Sequence, residues 1–388
     1  MVAIRPLEKK VNIKKYKYYL LIGVVILILI GVFQSQLRQI GSFIFGVTID
    51  KTIDLIERDN SFNVLIMGKA GGTHDGPDLT DTIIFSRVDV KSKKVDLISL
   101  PRDLWIKSEE RKINSIYALG QIDGKKGIES TRKVIEEITG QKVDYVIVVD
   151  FAGFEKFIDA LGGIEVGVET AFIDNEFPIA GKEDDLCGRS EDELELLSTA
   201  SSQLEAFPCR YKTISFDRGS VEMNGQTALE FVRSRHGTNS EGSDFARSKR
   251  QQKVIDGVRD KLFSLGVILN PVKVNELYNI VKDHLEMDIP VEKFDDFVKL
   301  AQKMEEGEIK STVIDYGSEA DERFGLVVNP IISEEYRYQW VLIPRKGNGD
   351  FSEIHEYIDC IISGNDCLVG ETGFVIATPT IKKSEEAN

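Results

Sequence analysis

Residues 143–149, which read Val-Asp-Tyr-Val-Ile-Val-Val, constrain the fold of this chain more than any other stretch. The run is nearly all β-branched and lacks the polar–apolar alternation of a strand with one solvated face. It predicts a central strand that is buried on both faces, so the surrounding sheet needs cover on both sides. With 388 residues, the chain is long enough to bury such a core.

Strands and helices alternate around this run, which predicts an α/β fold: an α-β-α sandwich with a central mixed sheet flanked by helices. The other predicted strands are Asn63–Met67, Thr82–Val90, Lys94–Leu100, Ile164–Val168, Val313–Tyr316 and Trp340–Pro344. The predicted helices are Asn114–Leu119, Gly127–Thr139, Phe151–Leu161, Gly225–Val232, about 272–284 and about 291–305. Residues 169–213 are acidic and predict an insertion that lies over the core, and residues 363–388 predict a C-terminal tail.

The N-terminal residues predict a membrane anchor. Residues 1–17 form a basic tail, and the apolar run that follows it is close to the roughly 20 residues that cross a bilayer. No small-x-small cleavage site follows, which favours one uncleaved transmembrane helix at 18–36 over a signal peptide. The lysines place the tail in the cytoplasm and the rest of the chain outside the cell membrane. Residues 37–60 predict a juxtamembrane stalk, and residues 61–362 predict the main domain.

Charge and cysteine content narrow the partners and the compartment. The net charge of −15 argues against nucleic acid as a partner, because no broad basic surface is expected. The four cysteines suit an outside compartment and allow three pairings. Proximity in sequence favours Cys187–Cys209 and Cys360–Cys367, and free thiols remain the alternative.

Two runs late in the chain carry the strongest functional signal, namely residues 231–236 (Phe-Val-Arg-Ser-Arg-His) and 243–252 (Ser-Asp-Phe-Ala-Arg-Ser-Lys-Arg-Gln-Gln). In an extended stretch, Arg233 and Arg235 point the same way. In a helix that begins at Asp244, one face carries Asp244, Arg247 and Gln251 and continues into Val254, Val258 and Leu262. A purely structural helix has little reason to turn charged residues inward, so the runs predict a polyanion pocket rather than a solvated basic face.

Three upstream segments place further polar residues where strands begin or end. They are the glycine-rich loop 68–76, Asp81 before a strand, and the Arg102–Asp103 pair after a strand. Taken alone, each is explained more simply by a surface turn, a turn-capping aspartate or a local ion pair. Together with the arginines they predict a pyrophosphate site with a divalent cation, Mg²⁺ or Mn²⁺, whose hard oxygen ligands come from carboxylates and phosphates. Such a site can serve phosphoryl transfer.

Taken in order, the motifs make the chain resemble the LytR–CpsA–Psr family of cell-wall glycopolymer ligases over roughly residues 60–362. The motifs are Asn-Val-Leu-Ile-Met-Gly at 63–68, Thr-Asp-Thr-Ile at 80–83, Ser-Leu-Pro-Arg-Asp at 99–103, Lys-Ile-Asn at 112–114, Val-Asp-Phe-Ala-Gly-Phe at 149–154, Leu-Gly-Gly-Ile at 161–164, Phe-Val-Arg-Ser-Arg at 231–235 and Asp-Phe-Ala-Arg at 244–247. Each motif is common alone, but the ordered set is specific.

The resemblance implies an enzyme that moves a glycopolymer from a polyprenyl-pyrophosphate carrier to a peptidoglycan hydroxyl as a phosphodiester. It also implies assistance by Mg²⁺ and an apolar tunnel for the polyprenyl tail. Carried over motif by motif, it implies that Asp81 binds the metal and activates the acceptor, and that Arg102 and Asp103 take part in catalysis. The implied pyrophosphate site comprises Arg102, Lys112, Arg233, Arg235 and Arg247, with Asp244 and Gln251 orienting these side chains or contacting the head group.

The chain departs from the family pattern at two places. Many members carry an aspartate shortly after the first glycine and an arginine two residues before the Asp81 position. Here those places hold Lys69-Ala70 and Leu79, and Asp75 is the candidate substitute as second metal ligand. Two alternatives therefore stay open: a hydrolase that cleaves the lipid pyrophosphate with water, and a non-catalytic polyprenyl-phosphate binding or scaffold protein.

Overall fold

The computed structural model describes Leu55 and residues 60–72, 76–190, 202–263, 271–290, 293–304, 307–318, 323–371 and 373–377. The predicted basic tail, the predicted anchor and nearly all of the predicted stalk lie outside these residues, as does Asp75. Within the described ranges, no helix combines the length and the apolar character needed to cross a bilayer.

The strands are β1 (Ser61–Lys69), β2 (Thr80–Asp89), β3 (Lys94–Ser99), β4 (Trp105–Ile106), β5 (Arg111–Lys112), β6 (Tyr145–Asp150), β7 (Ile164–Val168), β8 (Phe172–Pro178), β9 (Tyr211–Phe216), β10 (Gly219–Met223), β11 (Leu285–Met287), β12 (Glu308–Val313), β13 (Gly317–Ser318), β14 (Arg323–Phe324), β15 (Val327–Val328), β16 (Ile343–Pro344), β17 (Asp366–Val369) and β18 (Phe374–Ala377). The α-helices are α1 (Ile116–Ile122), α2 (Gly127–Thr139), α3 (Phe151–Ala160), α4 (Gln203–Ala206), α5 (Gly225–Arg233), α6 (Asp244–Phe263), α7 (Pro271–His284), α8 (Phe294–Lys303) and α9 (Ser352–Ile362).

A six-stranded mixed sheet, in the order β11-β6-β1-β2-β3-β12, forms the centre of the fold. Strand β1 runs parallel to β6 and antiparallel to β2, β2 runs antiparallel to β3, and β12 runs parallel to β3. As a result, the ends of β1, β3, β6 and β12 and the start of β2 meet at one edge of the sheet. In α/β folds, sites form at the edge where the carboxyl ends of strands gather.

Both faces of this sheet are covered. Leu65 and Met67 of β1 lie in a core with residues of α2 and α9, whereas Phe62 and Val64 lie in a core with residues of α8. The alternation follows from the period of two along a strand. Strand β6 likewise contributes to both cores, so its prediction as an internal strand buried on both faces is confirmed. The predicted α-β-α sandwich is confirmed as well.

A further core forms where two pairs of antiparallel strands, β7–β10 and β8–β9, pack with α3, α5 and α6. At its centre, the Phe216 ring lies 5.2 Å from that of Phe172 and 4.9 Å from that of Phe231, measured between centroids. The segment 169–213 was predicted to lie over the core, but its first and last strands build this core instead. The start of the segment thus contributes Phe172 and Phe177 of β8 to this core, which the acidic composition of the segment did not indicate.

Three further sequence predictions need correction. The strand predicted at Val313–Tyr316 lies earlier in the chain, since Val313 is the last residue of β12. Beyond it, the Asp315 carbonyl accepts hydrogen bonds from the N–H groups of Leu326 and Val327. Of Trp340–Pro344, only the last two residues form a strand. Residues 363–388 are not simply a tail, since β17 and β18 form a hairpin there. The Arg345 guanidinium donates a hydrogen bond to the carbonyl of Gly370, which lies in the turn between β17 and β18 (2.8 Å).

Both predicted cysteine pairings are confirmed. Cys187 is bonded to Cys209, and Cys360 on α9 is bonded to Cys367 on β17. The second bond attaches the C-terminal hairpin to the helix before it. A short disulfide loop of this kind stabilises mainly by restricting the unfolded chain.

The loop after α5, residues 234–243, is held by the buried carboxylate of Asp174 in β8. Its Oδ2 atom accepts hydrogen bonds from Ser234 Oγ (2.6 Å) and from the backbone N–H groups of Arg235 (3.1 Å) and His236 (3.2 Å). Burial alone would raise the pKa of Asp174, but these hydrogen bonds, with one from the N–H of Glu176, outweigh burial and lower the pKa. The loop is therefore attached to an ionised carboxylate.

The same loop is held at its carbonyl groups by Arg250 of α6, which is 3% exposed. Its guanidinium donates to the carbonyls of Phe231 (2.8 Å), Ser234 (2.7 Å) and Glu241 (2.7 Å), and to the Glu241 carboxylate (2.7 Å). Asp174 thus binds the N–H groups of the loop and Arg250 binds its C=O groups. Together these two residues form the loop frame, which fixes the backbone between Arg233 and α6.

We expect Asp174→Ala to lower the free energy of unfolding by about 3 kcal/mol, because a hydroxyl and backbone N–H groups lose their acceptor in a buried site. Denaturant unfolding of the full chain measures the change. The matched control is Asp217→Ala, in the exposed turn after β9, for which a change within about 0.5 kcal/mol is expected. Equal effects of the two substitutions would contradict the role of the loop frame.

The lowered pKa of Asp174 also predicts a pH dependence. The folded pKa lies below the unfolded value of about 3.9, so the carboxylate stabilises the fold above that pH and loses its contribution as the pH falls through the folded pKa. We therefore expect the stability difference between wild type and Asp174→Asn to shrink below about pH 4. Unfolding titrations at a series of pH values test this, and a difference that stays constant into acid would refute it.

Candidate active site

The candidate active site lies where β2 begins and β3 ends. Asp81 is the second residue of β2, and its neighbour Thr80 is fixed by a hydrogen bond from Oγ1 to the carbonyl of Asn114 (3.3 Å). After β3, a turn displays Arg102 and Asp103 and is closed by a backbone hydrogen bond from Leu104 to Pro101 (3.0 Å). The hairpin β4–β5 then brings Lys112 back beside this turn.

Four of the predicted residues form a chain of alternating charges. Arg102 Nη1 lies 2.6 Å from Asp81 Oδ1, and Arg102 Nε lies 3.4 Å from Asp103 Oδ2. Lys112 Nζ lies 2.7 Å from Asp103 Oδ1. Burial alone would lower the pKa of Arg102, but the two aspartates outweigh burial and raise it. The charge chain Asp81–Arg102–Asp103–Lys112 is partly exposed, so an anion can reach its cations from solvent.

A small cavity of about 30 Å³ opens beside Asp81. Its polar lining includes Asp81, Thr82, Arg247 and Gln251, and Gln251 Nε2 lies 3.4 Å from Thr82 Oγ1. Its apolar lining comprises Ile83, Ile84, Leu100, Val313, Ile314 and Leu342. The lining of this cavity thus combines charged and apolar side chains.

Helix α6 supplies the cavity with Arg247 and Gln251. The helix begins at Asp244, as predicted, and Ser243 Oγ accepts the N–H of Ala246 (3.1 Å) in its first turn. Further along, Val254 is buried in the core around Phe172, so the helix changes from a polar to an apolar inner face. The side chain of Asp244 lies outside the part of the chain that the structure describes, as does all of Asp75.

Arg233 does not lie in an extended stretch, so the predicted strand-like alignment with Arg235 is wrong. It is the last residue of α5, where the helix macrodipole favours a cation. Its guanidinium lies 4.3 Å from the centroid of the Phe151 ring and 5.4 Å from that of Phe177. Burial lowers the pKa of Arg233, while Asp81 and other carboxylates partly oppose that effect. Arg235 follows in the loop, where Asp174 fixes its backbone N–H.

The described donor set fits Mg²⁺ only with help from a substrate. Asp81 offers one carboxylate, whereas both oxygens of Asp103 face cations. In the family pattern an aspartate stands shortly after the first glycine, where this chain has Lys69. Lys69 forms an ion pair with Asp78 (2.7 Å). Mg²⁺ accepts one or two carboxylates when phosphate oxygens and waters complete its octahedron. Asp81 can therefore hold the ion together with a bound pyrophosphate.

Sequence reasoning assigned no role to the two residues of the loop frame, Asp174 and Arg250. Arg250 carried a weak signal, since it stands in the same basic run as Arg247. Asp174 carried none, because only the fold brings β8 beneath a loop 60 residues further along the chain. Both residues bind the backbone of the loop 234–243 and therefore position Arg235 and the start of α6.

Comparisons with known proteins identify related sequences. The model of the LytR_cpsA_psr family matches residues 42–331. The polyisoprenyl-teichoic acid–peptidoglycan teichoic acid transferase TagU of Bacillus licheniformis is 26% identical over 277 residues, which cover 70% of this chain and 72% of that protein. The regulatory protein MsrR of Staphylococcus aureus is 27% identical over 240 residues, covering 61% and 58% of the two chains.

The fold has a counterpart among solved structures. The Lin1025 protein of Listeria innocua superposes with a TM-score of 0.51 at 23% sequence identity, covering 79% of this chain and 98% of that one. The family match spans most of the chain and includes Asp81, Arg102, Lys112, Arg233, Arg235, Arg247 and Gln251. The chain therefore belongs to the LytR–CpsA–Psr family.

Proposed function

We propose that the protein transfers a glycopolymer from a polyprenyl-pyrophosphate carrier to a peptidoglycan hydroxyl and leaves it attached as a phosphodiester. The observation that carries this proposal concerns the interactions of the Arg233 guanidinium. Among the described residues, this half-buried guanidinium forms no ion pair or hydrogen bond, although it feels the charge of Asp81. The name of the TagU relative, a teichoic acid transferase, supports the same reaction class.

A pyrophosphate is the anion that best matches the charges. Arg102 and Lys112 are compensated by Asp81 and Asp103, Arg233 adds a cation near Asp81, and Arg247 lines the cavity. Arginine forms bidentate hydrogen bonds with phosphate oxygens, and several such contacts together favour a ligand with more than one phosphate. The apolar lining of the cavity would receive the first part of the polyprenyl chain.

In the proposed reaction, the acceptor oxygen attacks the phosphorus that bears the glycopolymer. A new P–O bond forms, the bond from that phosphorus to the bridging oxygen breaks, and polyprenyl phosphate leaves with the electron pair. Arg102 and Arg233 stabilise the negative charge that develops on the phosphates. The Asp81 carboxylate, held by Arg102, accepts the hydroxyl proton. Mg²⁺ bound by Asp81 and the phosphates would supply further charge neutralisation.

The reaction would take place at the outer face of the cell membrane. The apolar run at 18–36, with its basic tail, serves as a single-pass anchor with a cytoplasmic N-terminus in this proposal. An anchored domain stays within reach of lipid carriers in the same bilayer, which raises the effective concentration of donor.

We expect Arg102→Ala and Arg233→Ala to reduce transfer by about a hundredfold or more, as the loss of one charge-stabilising group typically does. The assay uses the full chain in phospholipid vesicles with a pyrophosphate-linked lipid glycan and soluble peptidoglycan strands, and it measures glycan joined to peptidoglycan. Arg218→Ala, in the exposed turn after β9, is the matched control and should retain wild-type rates.

The same assay separates the alternatives. Release of polyprenyl phosphate without any sugar acceptor would indicate a hydrolase. Tight binding of the lipid without turnover under any divalent cation would indicate a binding or scaffold protein, which Ala70 and Leu79 at the family's acidic and basic positions make worth testing. Wild-type transfer rates in both Arg102→Ala and Arg233→Ala would contradict the proposed site.

Chelation of divalent cations should abolish transfer, and Mg²⁺ or Mn²⁺ should restore it. Because Asp81 is the described carboxylate available to the ion, Asp81→Asn should raise the Mg²⁺ concentration needed for half-maximal rate. Titration of the rate with Mg²⁺ in wild type and variant measures this. Transfer that persists at full rate in excess chelator would remove the metal from the proposal.

A further inference from the structure

A second recess, here called the α1 groove, lies beside Lys112. It is an open recess of about 360 Å³ between α1 and the loop 329–341, and its lining includes Leu79, Lys112, Asn114, Ile122, Arg337 and Gln339. Lys112 belongs to this lining and also to the charge chain that ends at Asp81. Leu79 precedes Asp81 by two residues. A ligand in the α1 groove would therefore lie next to the candidate active site.

The lining of the α1 groove combines three kinds of chemistry. Leu79 and Ile122 offer apolar surface, and the Ile122 side chain is 83% exposed. Asn114 and Gln339 offer amide groups that both donate and accept hydrogen bonds. Arg337 and Lys112 add positive charge in a chain whose net charge is −15. Sugar rings present apolar C–H faces and hydroxyl groups, and acidic substituents on a glycan supply the complementary charge.

The loop that carries Arg337 is held in a strained conformation. Tyr336 is buried with its ring 5.6 Å from that of Trp105, and the Asn329 side chain donates to the carbonyl of Val341 (2.7 Å). Between these anchors, Arg337 and Tyr338 both adopt left-handed backbone angles, with φ of 51° and 56°. Two consecutive residues of this kind, neither of them glycine, are uncommon and typically mark a functional constraint.

Arg337 is also available for exchange of partners. It pairs with Glu110 at 3.1 Å, and both side chains are more than half exposed. Such a surface pair contributes little to stability, so the carboxylate of a ligand can replace Glu110 without a large penalty. The groove is open to solvent, which disfavours a polyprenyl tail as its occupant, since a lipid tail needs an enclosed apolar site.

We propose that the α1 groove binds the acceptor, a glycan strand that bears carboxylate groups, and directs one of its hydroxyls towards Asp81. This inference rests on the proposed function and adds to it the place of the second substrate. In this arrangement the donor phosphates occupy the arginine side of Lys112 and the acceptor occupies the α1 side. Ile122 and Leu79 contact sugar rings, Gln339 and Asn114 bind hydroxyl or amide groups, and Arg337 binds a carboxylate.

The test is direct binding of labelled, soluble peptidoglycan strands to the full chain in detergent micelles, measured by fluorescence anisotropy without donor. Arg337→Glu and Ile122→Asp should each weaken binding by about tenfold or more, whereas Arg337→Lys should restore part of the loss. The matched controls are Arg218→Glu and Ile331→Asp, which change equally exposed residues outside the groove lining. Both should bind strands as wild type does.

Strands from which the stem peptides have been removed distinguish the sources of the carboxylate. If the carboxylate that Arg337 binds lies on the stem peptides, Arg337→Glu should lose its effect on such strands while Ile122→Asp keeps its effect. If it lies on the glycan itself, both should keep their effects. The KM for acceptor in the transfer assay should rise in both groove variants, with kcat at saturating acceptor and lipid release without acceptor unchanged.

The outcomes separate this inference from the proposed function. A wild-type chain that binds strands through the groove but never transfers a glycan refutes the transferase and leaves the groove standing. A chain that transfers normally, with wild-type Kd and KM in Arg337→Glu and Ile122→Asp, refutes the groove. Loss of vesicle binding or of self-association in these variants, with strand binding unchanged, would assign the surface to a membrane or to a second copy and overturn the inference. Failure of peptidoglycan strands to bind the wild-type chain at about 1 mM would overturn the inference too.

Discussion

Backbone pairing between β1, β2 and β3 decides where the functional side chains lie. The pairing of β2 with β3 places Ile84 opposite Ser99, so the start of one strand overlaps the end of the next at a single edge. Asp81 and Arg102 are 21 residues apart in sequence and come within 2.6 Å because of this overlap. A shift of one residue in the register would turn every side chain of β2 to the opposite face. The hydrophobic cores on both faces prevent such a shift, so the packing of the sheet also maintains the charge chain.

The cations of the site repel one another, and the fold opposes this repulsion in two ways. Asp81 and Asp103 compensate Arg102 and Lys112 directly. The loop that follows Arg233 is instead fixed through its backbone, by a buried carboxylate on one side and a buried guanidinium on the other. Held in this way, the loop does not need an anion in order to keep its shape. A site prepared before the ligand arrives loses less entropy on binding.

Much of the fold could be predicted where side-chain period and local turn chemistry agree. Helix α2 ends at the predicted residue, because Gly140 adopts a left-handed conformation that stops a helix. Strand β8 could not be predicted, because Asp174 occupies an inward position where the period calls for an apolar residue. Its partners lie in a loop that only tertiary structure brings near. Arg233 was misplaced because nothing in the local sequence distinguishes a last helical residue from a first extended one.

The sequence indicated which residues are candidates for the site, but it did not indicate how they pair with one another. The ordered motifs identified Asp81, Arg102, Asp103, Lys112 and Arg247, and the structure brings these residues to one edge of the sheet. The ion pairs among them depend on side-chain rotamers and on the short pairing of β4 with β5. Neither can be predicted from the spacing of residues in the sequence. The α1 groove had no sequence signature, since its walls come from a helix and from a loop more than 200 residues away.

The Cys187–Cys209 disulfide sets where the chain can change in evolution. It joins two residues whose Cα atoms are 5.5 Å apart, between strands β8 and β9 that already pair with each other. The residues between the cysteines therefore form a covalently closed loop. Doubling the length of such a loop costs only about 0.6 kcal/mol of closure entropy. Insertions between the two cysteines would therefore change the free energy of folding little.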